Sequence, residues 1–531
     1  MPLLPADRLT ILSDVPVAAE RDFVLYWQVM ARRTRYNFAL EHAVEHARRL
    51  GRPLVVLEAL RAGYPHASDR LHRWAIDGMA DNAAAYARAG VEHHAYVEPA
   101  PGAGKGLLEA LAARACVVVT DEFPEYFLPR MLAAAGRRLA GAGARLEAVD
   151  GNGLLPLRCA GKAHVYAHQF RRLVQRAAPY HLGLFPAAEP LAAARGLPSL
   201  GTEGARALAD ARRRWPAADP ALLDAAAPGS GERLAALPID HGVPAMPFRG
   251  GPRKAAAVLD DFFARKYGRY AAERNEPEDP ANSGFSPYLH WGFLSAHEVF
   301  ARVADAEDWT PDRVGAKPDG KRDGWWGMSA NGDAFLEELV TWRELSYNTA
   351  FYVERHDEFA SLPPWAQATL AQHAGDRRAE LFSLDELEAG ATYDALWNAT
   401  QGQLREDGRI HNYLRILWGK KFLEWTRGPE EALAAMLHIN NRWALDGRNP
   451  NSTSGITWVM GRYDRPWGPE RPVIGKVRPM SSEATARKVD VRRYIERYTA
   501  RLPARAETVR PRDKGASKGA GTSGEDVLPP S

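Results

Sequence analysis

The stretch GRIHNYLRILWGKKFLEW, residues 408–425, carries His411, Arg415, Trp418, Phe422 and Trp425 at alternating steps of four and three. That spacing predicts a helix with these five side chains on one inward face. A guanidinium on a buried stripe is costly unless paired, so Arg415 requires a carboxylate, a phosphate or an electron-rich ring. The turn ALDGRNPNS, 444–452, supplies Asp446. Spacing leaves two readings open: a structural Arg–Asp clamp, or a clamp around a bound cofactor, which the polar neighbours His411, Asn412 and Asn440 favour. Trp418 and Trp425 lie two helical turns apart, roughly 10 Å along the axis. Core packing explains such a pair, but indoles are also among the few side chains able to pass a single electron.

Two further stretches combine chemistry-bearing residues. In YAAERNEPEDPANSGFSPYLHWGFLS, 270–295, Ser283 and Ser286 fall in a turn ahead of a helix. Hydroxyls and free backbone N–H groups there can bind phosphate, or a serine can simply cap the helix. In FLEELVTWREL, 335–345, Glu338 and Trp342 are four residues apart on one helical face. Such a carboxylate and indole make either a surface pair or a means of recognising a nucleobase.

The elements that must position these residues divide the chain. Up to about residue 155, β-rich runs (FVLYW, PLVVLEAL, HHAYVE, CVVVTDE, RLEAVD) alternate with helical patterns. This predicts an α/β domain with a doubly wound parallel sheet over residues 1–185, whose ligands sit at the carboxyl ends of the strands. An Ala-, Pro-, Gly- and Arg-rich connector is expected over 186–253 and an all-helical domain over 254–500, with a turn-rich insertion at 304–333. A disordered tail is expected over 501–531.

Bulk properties exclude several classes. A chain of 531 residues exceeds one core, and a net charge of +3 does not announce a nucleic-acid partner by itself. Two cysteines argue against a disulfide framework, and no metal-site spacing is evident, so no metal is expected. No leader and no apolar run of about 18 residues is found, so a soluble, cytoplasmic protein is expected. GxGxxG and Walker patterns are absent, and PGAGKG at 101–106 reads as a plain loop.

The segments SPYLHWGFLS, EELVTWREL, LWNATQGQLREDGRIHNYLRILWGKKFLEW, NNRWALDGRNPN and RPVIGKVRPM together resemble the photolyase/cryptochrome family. They are most similar to its class II cyclobutane pyrimidine dimer photolyases, and the likeness runs from about residue 22 to 500. It implies an α/β antenna domain, a connector and a helical domain holding FAD. It implies that Tyr270 and the turn Asn282, Ser283, Gly284, Phe285 and Ser286 hold the FAD phosphates and ribityl chain. Arg343 and Gly447 join the cofactor positions, Arg415 and Asp446 pair beside the isoalloxazine ring, and Asn440 faces flavin N5. Trp397, Trp418 and Trp425 match an electron relay, in no order that the sequence assigns. Glu338, Trp342 and Trp458 match lesion-contacting positions, with Asn412, Arg471, Lys476 and Arg478 as further DNA contacts.

The activity so implied is light-driven repair of cyclobutane dimers in UV-damaged DNA by a monomer, with an antenna chromophore, deazaflavin or folate, whose identity the sequence does not encode. Asn412 stands where class II usually has glycine and resembles class I, and the 304–333 insertion has no counterpart. A cryptochrome photoreceptor and a (6-4) photolyase of the same fold are the alternatives. A nucleotidyl-transfer reading, suggested by HLGL at 181 and KVRPMSS at 476, has its motifs in the wrong context.

Overall fold

The apolar runs of the N-terminal region become strands because each is bounded by turn residues and long enough for one crossing of a sheet. In a computed structural model, which describes residues 4–278 and 280–499, they are β1 Leu9–Ser13, β2 Phe23–Gln28, β3 Leu54–Leu60, β4 Glu92–Val97, β5 Ala115–Asp121 and β6 Leu146–Val149. The strand order is β1-β6-β5-β2-β3-β4. From β6 to β4 every pairing is parallel, while β1 runs antiparallel to β6. The chain thus builds β3 and β4 on one side of β2 and β5 and β6 on the other, which puts the topological switch at β2. All residues of β2 and β5 are buried, as expected for strands covered on both faces. Strand β1 escaped the sequence reading because LTILS is short and only Ser13 is buried.

Val24 and Tyr26 of β2, Val56 of β3 and Val117 and Val119 of β5 share one core with Phe38, Leu40 and Val44 of the helix Phe38–Leu50. That helix starts where the Asn37 side chain accepts the Leu40 N–H at 3.1 Å. It stops at Gly51, whose φ of 61° is the left-handed value glycine tolerates.

The described residues form two units that interleave along the chain. The first takes residues up to Gly161, Leu173–Asp261 and Gly284–Asp319; the second takes Lys162–Arg172, Phe262–Ser283 and Gly320 onward. The connector expected over 186–253 therefore lies within the first unit, and the tail expected over 501–531 lies outside the described residues.

Among the described residues every named strand ends by Val149, and the second unit is helical. Helices Asn412–Trp425, Pro429–Trp443 and Pro450–Val459 approach closely at Gly419. A Cβ there would stand 2.6 Å from Val459 Cγ2 and 3.2 Å from Met436 Sδ, so glycine sets the spacing. The helix Asn412–Trp425 differs from the amphipathic helix expected over 408–425. His411 is its N-cap residue, and Leu414, Ile416, Leu417, Lys420 and Leu423 are buried along with His411, Trp418, Phe422 and Trp425 of the predicted stripe, while Arg415 is partly buried. A helix surrounded by others buries every face, so its period carries little information.

Candidate functional site

The pairing proposed for Arg415 is present. Its Nη2 donates to both oxygens of Asp446 at 3.2 Å, and the two side chains are 11% and 7% exposed. Asp446 lies in the turn after helix Pro429–Trp443. Asn440, 1% exposed on that helix, donates through Nδ2 to Ser452 Oγ at 2.7 Å. Gly447 closes the turn: a Cβ on it would lie 2.8 Å from the Asn440 carbonyl oxygen and 3.1 Å from the Asn441 Cα. Arg415, Asp446, Asn440 and Gly447 therefore converge on one turn and its two flanking helices. Beside them His411 is held neutral by burial, its pKa lowered to about 4. Asn412 is the first residue of its helix.

Trp397, Trp418 and Trp425 are at most 1% exposed and contiguous. Asp394 caps the helix Ala395–Asp407 by accepting the Trp397 N–H at 3.0 Å, which fixes where that indole enters the core. The Trp397 indole N–H donates to the Trp418 carbonyl at 2.9 Å. Both rings touch Phe422, at centroid distances of 4.6 Å from Trp418 and 5.7 Å from Trp397. Trp397 and Trp425 meet edge to face at 5.2 Å. Two members of this cluster were missed in the sequence. Gln401 accepts the Trp418 indole N–H at 2.9 Å, and Tyr393, 40% exposed, lies 5.5 Å from the Trp425 ring and accepts its indole N–H at 3.0 Å. Tyr393 lies just ahead of helix Ala395–Asp407 and Gln401 one turn after Trp397 on it, both outside the 408–425 stripe that drew attention to Trp418 and Trp425.

Glu338 and Trp342 do not lie on a regular α-helix as expected. Residues Glu337–Trp342 form a π-helical turn between helices Ala330–Leu336 and Arg343–Tyr352. Such π-helical turns are a distortion common at functional sites. Glu337 is clamped by Arg171, which donates from Nε at 3.0 Å and Nη2 at 2.7 Å. Glu338 is 7% exposed, and among the described residues its Oε2 has no hydrogen-bond partner. Burial pushes its carboxyl up to about 8 against the pull of Arg274, and the Glu337 carboxylate adds to the rise. At neutral pH Glu338 is therefore an acid that can donate. The buried Trp342 indole N–H likewise has no acceptor among the described residues.

Tyr270 is buried against Phe262 and Phe335, and burial together with the nearby Glu338 carboxyl raises its hydroxyl pKa. Arg343 places its guanidinium 4.4 Å from the Tyr347 ring centroid. Trp458 is 5% exposed on helix Pro450–Val459. Of the basic candidates, Lys476 is exposed, its Nζ 3.8 Å from Glu470 Oε2, while Arg478 stacks 4.9 Å from Trp467 and Arg471 donates to the Pro469 carbonyl at 3.2 Å. The phosphate turn is divided: Asn282 and Ser283 belong to the second unit, and Gly284, Phe285 and Ser286 to the first. Gly284 has φ 70°, and Ser286 is the first residue of the short helix Ser286–His290, whose N-cap residue is Phe285.

The first unit holds a cavity of about 460 Å³ at the carboxyl ends of β2, β3 and β4, lined by Trp27, Leu60, Arg61, Tyr96, Phe127 and Arg130 among others. The PGAGKG loop, read as plain, contributes Gly102, Gly104, Lys105 and Gly106 to its wall. Glu98 holds this loop by accepting the Gly104 N–H at 3.0 Å.

The chain is similar to a protein of Methanothermobacter thermautotrophicus named deoxyribodipyrimidine photo-lyase, with 30% identity over 93% of this chain and 98% of that protein. Proteins of the same name from Oryza sativa subsp. japonica and Potorous tridactylus are 38% and 36% identical. The matches cover 46% and 49% of this chain and 44% and 46% of theirs. A class III photolyase structure from Agrobacterium tumefaciens shares the fold, with a TM-score of 0.63 and 19% identity over 90% of this chain and 87% of that one. No family model matches the sequence. Among the described residues no helix is long and apolar enough to cross a membrane.

Proposed function

The chain belongs to the photolyase/cryptochrome family and is an enzyme of the deoxyribodipyrimidine photo-lyase kind, and from that premise we propose that it repairs cyclobutane pyrimidine dimers in UV-damaged DNA. The family works on damaged DNA with FAD. The observation that carries the finer reading is Glu338, a buried, neutral carboxyl with an oxygen that has no hydrogen-bond partner among the described residues, as the buried Trp342 indole N–H on the same π-helical segment also has none. Buried polar groups without partners are costly, so such a pair is retained where a ligand completes its hydrogen bonds.

The residues of the second unit fit a flavin. Arg415 is a partly buried cation whose Nη2 is committed to Asp446, and Asn440 is a buried amide on the next helix. Their donors suit the polar edge of an isoalloxazine ring. When bound, reduced FAD supplies the light-driven electron that opens the cyclobutane ring and afterwards recovers it. The protein's part is to position, to stabilise charge and to exclude water. Glu338 donates its proton as a hydrogen bond to a pyrimidine carbonyl as negative charge develops there, and Trp342 and Trp458 provide flat apolar walls for an extruded dimer. Arg471, Lys476 and Arg478 meet the DNA backbone.

The three tryptophans form a hopping chain ordered Trp418, Trp397, Trp425, which carries electrons inward from Tyr393 at the surface. The ring contacts and the shared Phe422 support that order. The cavity of the first unit takes an antenna pigment, with Trp27, Tyr96 and Phe127 as stacking surfaces and Arg61, Lys105 and Arg130 for its polar end.

The test is direct. The purified, reduced protein, illuminated with blue light over an oligonucleotide carrying one thymine dimer, should restore the two thymines, with no conversion in the dark. Denaturation should release about one FAD per chain. A colourless protein from a flavin-replete host, or a flavoprotein without light-dependent conversion, overturns the reading.

A further inference from the structure

The proposed repair makes no use of a cluster in the first unit. His42 and His46 lie one turn apart on the helix Phe38–Leu50, and Glu147 comes from β6. The Nε2 atoms of His42 and His46 lie 2.8 and 2.9 Å from the same Glu147 Oε2, and 3.2 Å from each other. The three side chains are 12%, 5% and 4% exposed. We propose that His42, His46 and Glu147 are the protein ligands of a divalent transition-metal site of the Zn2+ type.

The geometry supports this in three ways. Zinc bonds to imidazole nitrogen and carboxylate oxygen are about 2.0–2.2 Å, so the ligand atoms on one face of its tetrahedron stand about 3.3 Å apart. The observed triangle needs to open by only a few tenths of an ångström. Secondly, the metal-free arrangement is poorly satisfied. Both Nε2 atoms must carry hydrogen to serve one carboxylate oxygen, which sets two donors 3.2 Å apart. It also leaves the buried His42 Nδ1 without a hydrogen-bond partner among the described residues. A cation at the Nε2 atoms would move that hydrogen to Nδ1, 4.0 Å from the Glu45 carboxylate, a short closure from the carboxylate–histidine–metal arrangement that orients such ligands. Thirdly, Arg145 donates to Glu147 through its other oxygen, Oε1, at 2.6 Å, which fixes the carboxylate and leaves Oε2 to the cation.

Two cations oppose occupancy. Arg145 is one, itself 3.7 Å from the exposed Asp14. The other is Arg49, an exposed residue whose Nη2 lies 2.6 Å from His46 Nδ1 and has to swing into solvent when that nitrogen takes the proton. Arg49 therefore restrains metal binding without being part of the ligand set. The bound ion would staple the helix to β6. The third ligand lies 101 residues from His46, so spacing in the sequence could not reveal the site.

The full chain, purified without a polyhistidine tag, stripped with a chelator and dialysed, should take up one Zn2+ when titrated with zinc chloride. It should keep that ion in elemental analysis. His42→Ala and Glu147→Gln should each weaken uptake at least a hundredfold, while Arg49→Ala should bind at least as tightly as the wild type. Should a ligand variant fail to fold, one equivalent of Co2+ on the wild-type chain decides. A visible d–d absorption of a four-coordinate nitrogen–oxygen site is expected, and its absence overturns the proposal. So does a wild-type chain that binds no zinc, or zinc uptake unchanged in folded His42→Ala and Glu147→Gln.

Discussion

The indole N–H of Trp397 donates to the main-chain carbonyl of Trp418 at 2.9 Å, although 21 residues separate them. This bond ties helices Ala395–Asp407 and Asn412–Trp425 together, and Trp397 then meets Trp425 at 5.2 Å. Replacing Trp418 by Phe keeps an aromatic core but raises the oxidation potential of that link. Photoreduction of oxidised flavin with an external thiol should slow at least tenfold, while chemically reduced enzyme repairs at the normal rate. The variant also strands the buried Gln401 oxygen that accepts the Trp418 N–H, a cost of about 1–3 kcal/mol visible in a thermal melt. If Phe variants of all three tryptophans photoreduce normally and show only the stability loss, the cluster is packing and no relay.

Glu338 ties repair to pH. Its carboxyl keeps the proton up to about pH 8, so repair by reduced enzyme should fall as pH rises through that value, as the donor is lost. Glu338→Gln should retain flavin and flatten the profile, Glu338→Ala should lower quantum yield across it, and Trp458→Ala should weaken dimer binding about tenfold or more. A profile in Glu338→Gln identical to wild type assigns the ionisation elsewhere.

The same carboxyl carries a stability signature. An acid with a raised folded pKa holds its proton where the unfolded chain has lost it. Its contribution to stability is therefore lost progressively from near pH 4.5 up to about 8, and changes no further above that. Glu338→Gln has no such dependence. Denaturant unfolding should show the variant gaining on the wild type by up to about 1.4 kcal/mol per pH unit between pH 5 and 8. A constant difference across that window would refute the raised pKa.

Asp446→Ala strands the partly buried Arg415 guanidinium, at a cost of up to about 3 kcal/mol. The purified variant should lose flavin on gel filtration or unfold in the second unit. Charge-neutral Asp446→Asn, which retains one acceptor, should lose less. Full flavin content and an unchanged melt in the alanine variant would remove this pair from the cofactor site.

Gly447→Ala tests how tightly the turn is built. The added methyl would meet backbone on three sides, at 2.8 Å from the Asn440 carbonyl, 3.1 Å from the Asn441 Cα and 3.2 Å from the Ala444 carbonyl, and backbone cannot step aside. A destabilisation of about 1–3 kcal/mol with weakened flavin binding is expected. An alanine variant as stable as the wild type would show that the turn has room.

By itself the sequence determined the elements whose signal is local. Five of the six strands among the described residues were legible: β2, β3 and β5 as largely apolar runs buried on both faces, and β4 and β6 as short β-rich runs between helical patterns; the helical character of the second unit followed from its period. The Arg415–Asp446 pair was legible because a charge in an apolar helix must have a partner and a turn nearby offered a carboxylate. What depends on the meeting of distant segments was decided only in three dimensions. The order proposed for the tryptophans draws on which rings touch, not on their spacing, and Tyr393 lies outside the helices that carry them. The π-turn at Glu337–Trp342 looks like ordinary helix in sequence, since one inserted residue changes no composition. The donor character of Glu338 comes from burial, a property of its surroundings. Likewise the interleaving of the two units, the cavity wall made by the PGAGKG loop and the junction of His42, His46 and Glu147 exist only because packing joins residues that the chain keeps far apart.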